Sequence, residues 1–206
     1  MVKYRYLIFD FNGTLIDSSE IMHDIVDDLI TKSRFTGITS KDVENRRSLP
    51  LVKKIKVLIF TARYLRRFFQ LYDKKDVSKI KFADGVKSML IFFNERGYSY
   101  SILSSNSADM IKDFFELHQI PVDSIYKSNV LYGKRKAIKS FIKEKGCKAS
   151  DILYVGDEKR DVAACNKCGV DTVFVNWGIG TSEDIARYNV KAVVQTPGEL
   201  IGHVLN

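Results

Sequence analysis

The chain has 206 residues, 45% hydrophobic and 28% charged, with a net charge of +8 and a pI near 9.3. This usage excludes a fibrous or fully disordered chain and leaves enough length for a sizeable buried core. Three cysteines, an odd number, exclude a complete set of internal disulfides and suit a reducing compartment. The positive balance permits an anionic partner, whether a phosphorylated metabolite, a nucleic acid or a membrane surface, without choosing among them.

The N-terminal run MVKYRYLIFDFNGTL is broken by Asp10 and offers no small-residue cleavage site, so no signal peptide is expected. No stretch approaches the ~18 apolar residues of a membrane span. The expectation is a soluble cytoplasmic protein with no membrane partner, and nothing in the sequence specifies an oligomer.

In chain order, the first apolar run is YLIF in the 4–9 region, a buried strand. The stretch 17–81 is different: it predicts helices and no buried strand. Ile21, Ile25, Val26, Leu29 and Ile30 form one helical stripe. Leu51, Val52, Ile55, Leu58 and Ile59 form another, continued by Tyr64, Leu65, Phe68 and Phe69, with Pro50 at its start. Between Phe35 and Lys81 thirteen basic residues face four acidic ones, a local charge of +9 that accounts for the whole positive balance. Strands and helices then alternate. Helices are predicted over 82–96, 108–117 and 135–144, and strands at YSIL ending near Ser104, ILYV at 152–155, TVFV at 172–175 and AVV at 192–194. That alternation predicts an α/β fold with a parallel sheet covered on both faces.

Sites in such sheets lie just past the carboxyl ends of the strands. Asp10-Phe11-Asn12-Gly13-Thr14 follows the first strand, Ser104-Ser105-Asn106-Ser107 the second, and Gly156-Asp157-Glu158-Lys159-Arg160-Asp161 the third. Lys134-Arg135-Lys136 opens the helix before that third strand. Acidic loops, a hydroxyl-amide loop and a lysine suit phosphoryl transfer. Asp10, Asp157 and Asp161 offer hard oxygen ligands for Mg²⁺. Ser105 and a lysine can bind phosphate oxygens. A carboxylate such as Asp10 can act as a nucleophile. The alternative for Asp157 and Asp161 is a charge pair at a helix N-terminus, worth up to ~1 kcal/mol.

YLIFDFNGTL, SILSSNS, YGKRKAIKSFI and ILYVGDEKRD resemble, in order, the four motifs of the haloacid dehalogenase superfamily. DGVKSMLIFFNERGYSYSILSSN and GVDTVFVNWG resemble its phosphoglycolate-phosphatase-like branch. The resemblance covers about 140 residues of core. It implies a Rossmannoid three-layer α/β/α core at 1–16 and 82–206, with an α-helical cap inserted at 17–81 that closes over substrate. It implies a Mg²⁺-dependent phosphatase acting on a small phosphomonoester, phosphoglycolate-like or a sugar phosphate, through an aspartyl-phosphate. By position, Asp10 is the nucleophile and a metal ligand, Asn12 a metal ligand through its backbone carbonyl, and Asp157 a ligand supported by Asp161. Thr14, Ser105, Asn106 and Lys134 are phosphate binders, with Lys136 the alternative lysine.

Position 12 departs from the pattern. Phosphatases of the family carry a second Asp there, which protonates the leaving group and then activates water; Asn cannot cycle a proton. Three readings follow: a phosphatase that is slow or takes a substrate with a good leaving group, a binding or regulatory relative, or an introduced Asp-to-Asn change that traps a complex. Arg46 and Arg47 are candidates to clamp an anionic substrate. Arg63, Arg66 and Arg67, interleaved with Tyr64 and Phe68, are candidates for a nucleic-acid patch, against the plainer reading of a solvated helix face. Cys165 and Cys168 have CxxC spacing but no second pair or neighbouring His, which favours packing over metal. Packing is also the reading for Trp177, and surface or core positions for His23, His118 and His203.

Overall fold

The computed structural model describes residues 4–33, 35–44, 48–74, 76–128 and 133–205. In chain order it contains β1 (Tyr6–Phe9), β2 (Ile16–Asp17), α1 (Ser19–Ser33), α2 (Ser40–Glu44), α3 (Leu51–Tyr72), β3 (Lys81–Phe82), α4 (Val86–Glu95), β4 (Tyr100–Ser104), α5 (Ala108–Leu117), β5 (Ser124–Lys127), α6 (Gly133–Lys145), β6 (Ile152–Gly156), α7 (Lys159–Asn166), β7 (Asp171–Val175), β8 (Ala192–Val194) and α8 (Pro197–Leu205). The chain divides into two compact units, 1–17 with 80–206, and 18–79. Asp17, Ile80 and Lys81 stay with the larger unit because β2 and β3 pair there, Ile16 opposite Phe82 and Asp17 opposite Lys81.

The larger unit is built on a six-stranded parallel sheet in the order β5-β4-β1-β6-β7-β8. β1 lies between β4 and β6, with Phe9 opposite Ile102 on one side and Val155 on the other. Successive side chains of a strand point to opposite faces, and each face has its own core. Ile8 packs with Leu103, Ile138, Phe141, Tyr154 and Cys165. Phe9, its neighbour, meets the Tyr100 ring edge-on at 5.7 Å and Phe93 at 6.5 Å. The sheet is therefore apolar on both sides, which is why its strands read as near-continuous hydrophobic runs.

Beyond β1 the aromatic packing continues. Phe114 of α5 sits 5.4 Å from Phe11 and 4.7 Å from Phe82, and the His118 ring lies 4.6 Å from Phe114. Burial holds His118 below the ordinary histidine range. Ser107 caps α5 by accepting from the Met110 amide at 3.3 Å.

The smaller unit is helical. Ile21, Ile25, Val26 and Leu29 of α1 and Val57, Phe60 and Tyr72 of α3 are buried, and Phe60 meets Phe35 at 5.4 Å. α2 is tied in by polar contacts: Ser40 Oγ donates to Asp27 at 3.0 Å, and Lys53 Nζ lies 3.0 Å from Asp42. Among the described residues no helix is long and apolar enough to cross a membrane.

Candidate active site

The sheet order sets the site. Placing β1 between β4 and β6 puts the loops carrying Asp10, Ser105 and Asp157 side by side at one end of the sheet. Asp10 continues the ladder, its amide donating to the Val155 carbonyl at 2.9 Å, and is 2% exposed. Lys134, in the first turn of α6, is buried; its Nζ lies 2.8 Å from Asp10 Oδ2 and also pairs with Asp161 Oδ1. Lys136 is exposed, so Lys134 is the lysine of the site. Burial works against its ammonium, but the Asp10 and Asp161 carboxylates outweigh this and hold its pKa above the ordinary value.

Asp161 is fixed from several sides. Its Oδ2 accepts from the Glu158 amide at 3.1 Å, capping α7, and the Tyr154 hydroxyl lies 3.4 Å from Oδ1. Burial pushes its carboxyl up to about 6, although Lys134 opposes the shift. Asp157 is fully buried. Its Oδ1 accepts from Thr14 Oγ1 at 2.9 Å and its Oδ2 from the Ile179 amide at 2.8 Å. Burial first, then the nearby charges of Asp10, Asp161 and Glu158, raise its pKa well above the carboxylate range.

Asp157 fits because glycines surround it. A Cβ at Gly13 would lie 2.9 Å from Asp157 Cγ, and one at Gly178 would overlap the same side chain. Gly13 is also held at φ +75°, a region L side chains rarely adopt. Gly178→Ala is therefore expected to destabilise by about 1–3 kcal/mol through overpacking. Gly202→Ala, where a Cβ in α8 meets nothing within 4 Å, is expected to stabilise by about 0.5–1 kcal/mol. Denaturant midpoints of the two variants check the contrast.

The Asn12 and Asn106 side chains pair with each other. Asn12 Nδ2 donates to Asn106 Oδ1 at 3.0 Å and Asn106 Nδ2 to Asn12 Oδ1 at 3.4 Å, joining the first and second loops through neutral amides. Ser105 is buried beside Asn106, whose own amide donates to Ser104 Oγ at 3.2 Å. Trp177 Nε1 donates to the Thr14 carbonyl at 3.0 Å, so this indole holds the first loop as well as packing.

The structure adds partners to two of the expected residues. The Thr14 hydroxyl donates to Asp157. Among the described residues, the carboxylates with oxygens within 4.8 Å of one another are those of Asp10, Glu158 and Asp161; Asp157 is bonded to Thr14 and the Ile179 amide. Sequence reasoning passed over Glu158, although it lies inside the GDEKRD motif. Arg46 and Arg47 lie outside the described residues. All three cysteines are free thiols: Cys165 is buried in the core under β6, and Cys168 Sγ lies 3.7 Å from the Arg135 carbonyl.

These residues fit a divalent cation. Asp10, Asp157 and Asp161 are buried and Glu158 is half-buried, facing the cations Lys134 and Arg160. All donors are hard carboxylate oxygens of the kind Mg²⁺ takes, gathered where burial leaves them little water.

Comparison with known proteins agrees with this fold. The chain is 26% identical over 200 residues to a phosphoglycolate phosphatase of Synechococcus elongatus, covering 95% of this chain and 94% of the relative. It is 21% identical to a phosphoglycolate phosphatase of Vibrio cholerae, covering 100% of this chain and 99% of the relative. Its fold is similar to that of a haloacid dehalogenase-like hydrolase from Bacteroides fragilis, with TM-score 0.79 at 23% identity over 96% of this chain and 100% of that one. The family model described as haloacid dehalogenase-like hydrolase matches residues 7–175, most of the chain, and the chain belongs to that family.

Proposed function

We propose that the chain is a Mg²⁺-dependent phosphatase that hydrolyses a small phosphomonoester, phosphoglycolate or a sugar phosphate, through an aspartyl-phosphate on Asp10. The observation that carries this reading is Lys134, a buried ammonium paired with both Asp10 and Asp161. Such a cation beside a carboxylate nucleophile offsets the repulsion between that carboxylate and an incoming phosphate. The phosphoglycolate phosphatases aligned over nearly the whole chain support the substrate class. Three unpaired thiols support a reducing compartment, the cytoplasm.

In the proposed sequence, an Asp10 oxygen attacks phosphorus and the ester P–O bond breaks, so the alcohol oxygen leaves with the bond's electron pair. Water then attacks the aspartyl-phosphate, releasing phosphate and restoring Asp10. The Ser105 hydroxyl and the Asn106 amide hold phosphoryl oxygens. Mg²⁺ held by Asp10 and Asp161, with Glu158 or Asp157 and the Asn12 carbonyl, would supply positive charge to the phosphoryl oxygens. Thr14 contributes by fixing Asp157.

Phosphate release from a panel of phosphomonoesters, with and without Mg²⁺, tests the reading. Release that disappears in Asp10→Asn supports it; no release from either the native chain or Asn12→Asp overturns it. Metal binding is checked separately. At a Mg²⁺ concentration 100 times Kd, stability is expected to rise by about 2.7 kcal/mol, with a higher unfolding midpoint that a chelator reverses. Glu158→Gln and Asp157→Asn, compared in the same assay, identify which of the two joins Asp10 and Asp161.

One observation favours a second reading, a non-catalytic protein that binds a phosphorylated ligand: the Asn12–Asn106 pair puts a neutral amide where turnover needs an acid. Stabilisation by a phosphorylated ligand without any turnover is its signature.

A further inference from the structure

Helix α3 carries an exposed apolar stripe that the phosphatase reading does not use. Leu51, Val52, Ile55, Leu58 and Ile59 are each between 50% and 73% exposed, and they are half of the large exposed hydrophobics among the described residues. All five fall within nine consecutive positions. Their spacing places them on one side of the helix, away from Val57 and Phe60, which are buried within the helical unit. The same helix has six cations, Lys53, Lys54, Lys56, Arg63, Arg66 and Arg67, and no acidic residue. Lys53 is engaged by Asp42. At helical spacing Lys54 falls on one flank of the stripe and Lys56 and Arg63 on the other, with Arg66 about two turns beyond its end.

We propose that this face of α3 lies flat on an anionic lipid bilayer, its aliphatic side chains among the upper acyl chains and its flanking cations at the level of the lipid phosphates. An apolar stripe bordered on both sides by Lys and Arg is the composition of an interfacial helix: the stripe gives insertion and the cations select anionic lipid. Among the described residues no helix is long and apolar enough to cross a membrane, and lying on one needs no such helix. Other occupants fit less well. A second copy would set like charge against like across the same face. A nucleic acid would use the cations but has no use for five aliphatic side chains, since bases stack on aromatic rings. An acidic protein groove matches the charge and is decided by experiment.

The test is co-sedimentation of the full chain with vesicles of phosphatidylglycerol and phosphatidylcholine, with phosphatidylcholine alone as control. Binding is expected only to the anionic vesicles, weakening as salt rises. Leu58→Ser with Ile59→Ser, and separately Arg63→Glu with Arg66→Glu, are each expected to weaken it by about tenfold or more. Both pairs change exposed residues, and circular dichroism verifies that the helices remain. The proposal is overturned by no vesicle binding, by binding indifferent to the Leu58/Ile59 change, or by duplex DNA or polyglutamate holding the chain as tightly as the vesicles. It is equally overturned if the Leu58/Ile59 change only dissolves a dimer, or only raises KM for a phosphomonoester. The vesicle-binding results do not depend on whether Asp10 turns over substrate.

Discussion

Replacing Asn12 with Asp is expected to raise kcat for an alkyl phosphate such as phosphoglycolate by about 10²–10⁴-fold, the usual contribution of a positioned general acid–base. The amide at 12 can neither give a proton to a departing alkoxide nor take one from the attacking water. The gain should therefore depend on the leaving group. It should be large for alkyl phosphates and small in the first step for acetyl phosphate or p-nitrophenyl phosphate, whose leaving groups depart without a proton. With those substrates the native chain is expected to accumulate the aspartyl-phosphate, because the second step still lacks its base. Intact-mass measurement would show one added phosphoryl group, absent in Asp10→Asn. Folding should survive the exchange. Asn106 can turn its amide to donate to a carboxylate at 12, and the loop's backbone bond from Gly13 N to the Ile16 carbonyl, 3.0 Å, does not involve the side chain. An equal gain for every leaving group, or none, would remove position 12 from the account of turnover.

What could be read in advance followed burial. β1, β4, β6 and β7 were legible because strands covered on both faces must be apolar nearly throughout. β5 escaped notice: it is an edge strand, Ser124–Lys127, only half covered, and its composition says little. β2 and β3 are two residues each and exist only because 65 positions of chain return Phe82 to Ile16, a pairing without a local signal. In α3 the periodicity was real but ambiguous. Leu51, Val52, Ile55, Leu58 and Ile59 read as an apolar face, yet the face that buries contains Val57 and Phe60. Periodicity shows that a helix has an apolar side; it does not show which side meets a partner.

The site divides in the same way. Asp10, Lys134 and Asp161 follow from motif order, and the structure joins them by ion pairs. The choice between Lys134 and Lys136 required burial, which two positions on a helix decide by about 200° of rotation. The glycines around Asp157 are separated from it by long stretches of sequence and make sense only once the loops after β1, β6 and β7 meet.

Lys134→Met is expected to be the most damaging single exchange at the site. Methionine matches the length of the lysine stem, so packing changes little, but two buried carboxylates lose their shared cation. Removing one partner of a buried ion pair typically costs about 3–5 kcal/mol, because the remaining charge has neither water nor a counter-ion. The cost should fall in the double variant Lys134→Met/Asp161→Asn, which neutralises one of those acids; a cycle of the two single variants and the double one isolates the coupling, expected at about 0.5–3 kcal/mol. Urea denaturation measures it. The residual Asp10 carboxylate would still lack Lys134, so activity should remain lost in the double variant even where stability returns. That separation is the informative result. Stability and activity returning together would mean that the ammonium serves only to hold Asp161 in place. Stability unchanged in Lys134→Met would mean that Asp10 and Asp161 find their compensation elsewhere, and the reading of Lys134 as the cation that readies Asp10 for a phosphate would fall with it.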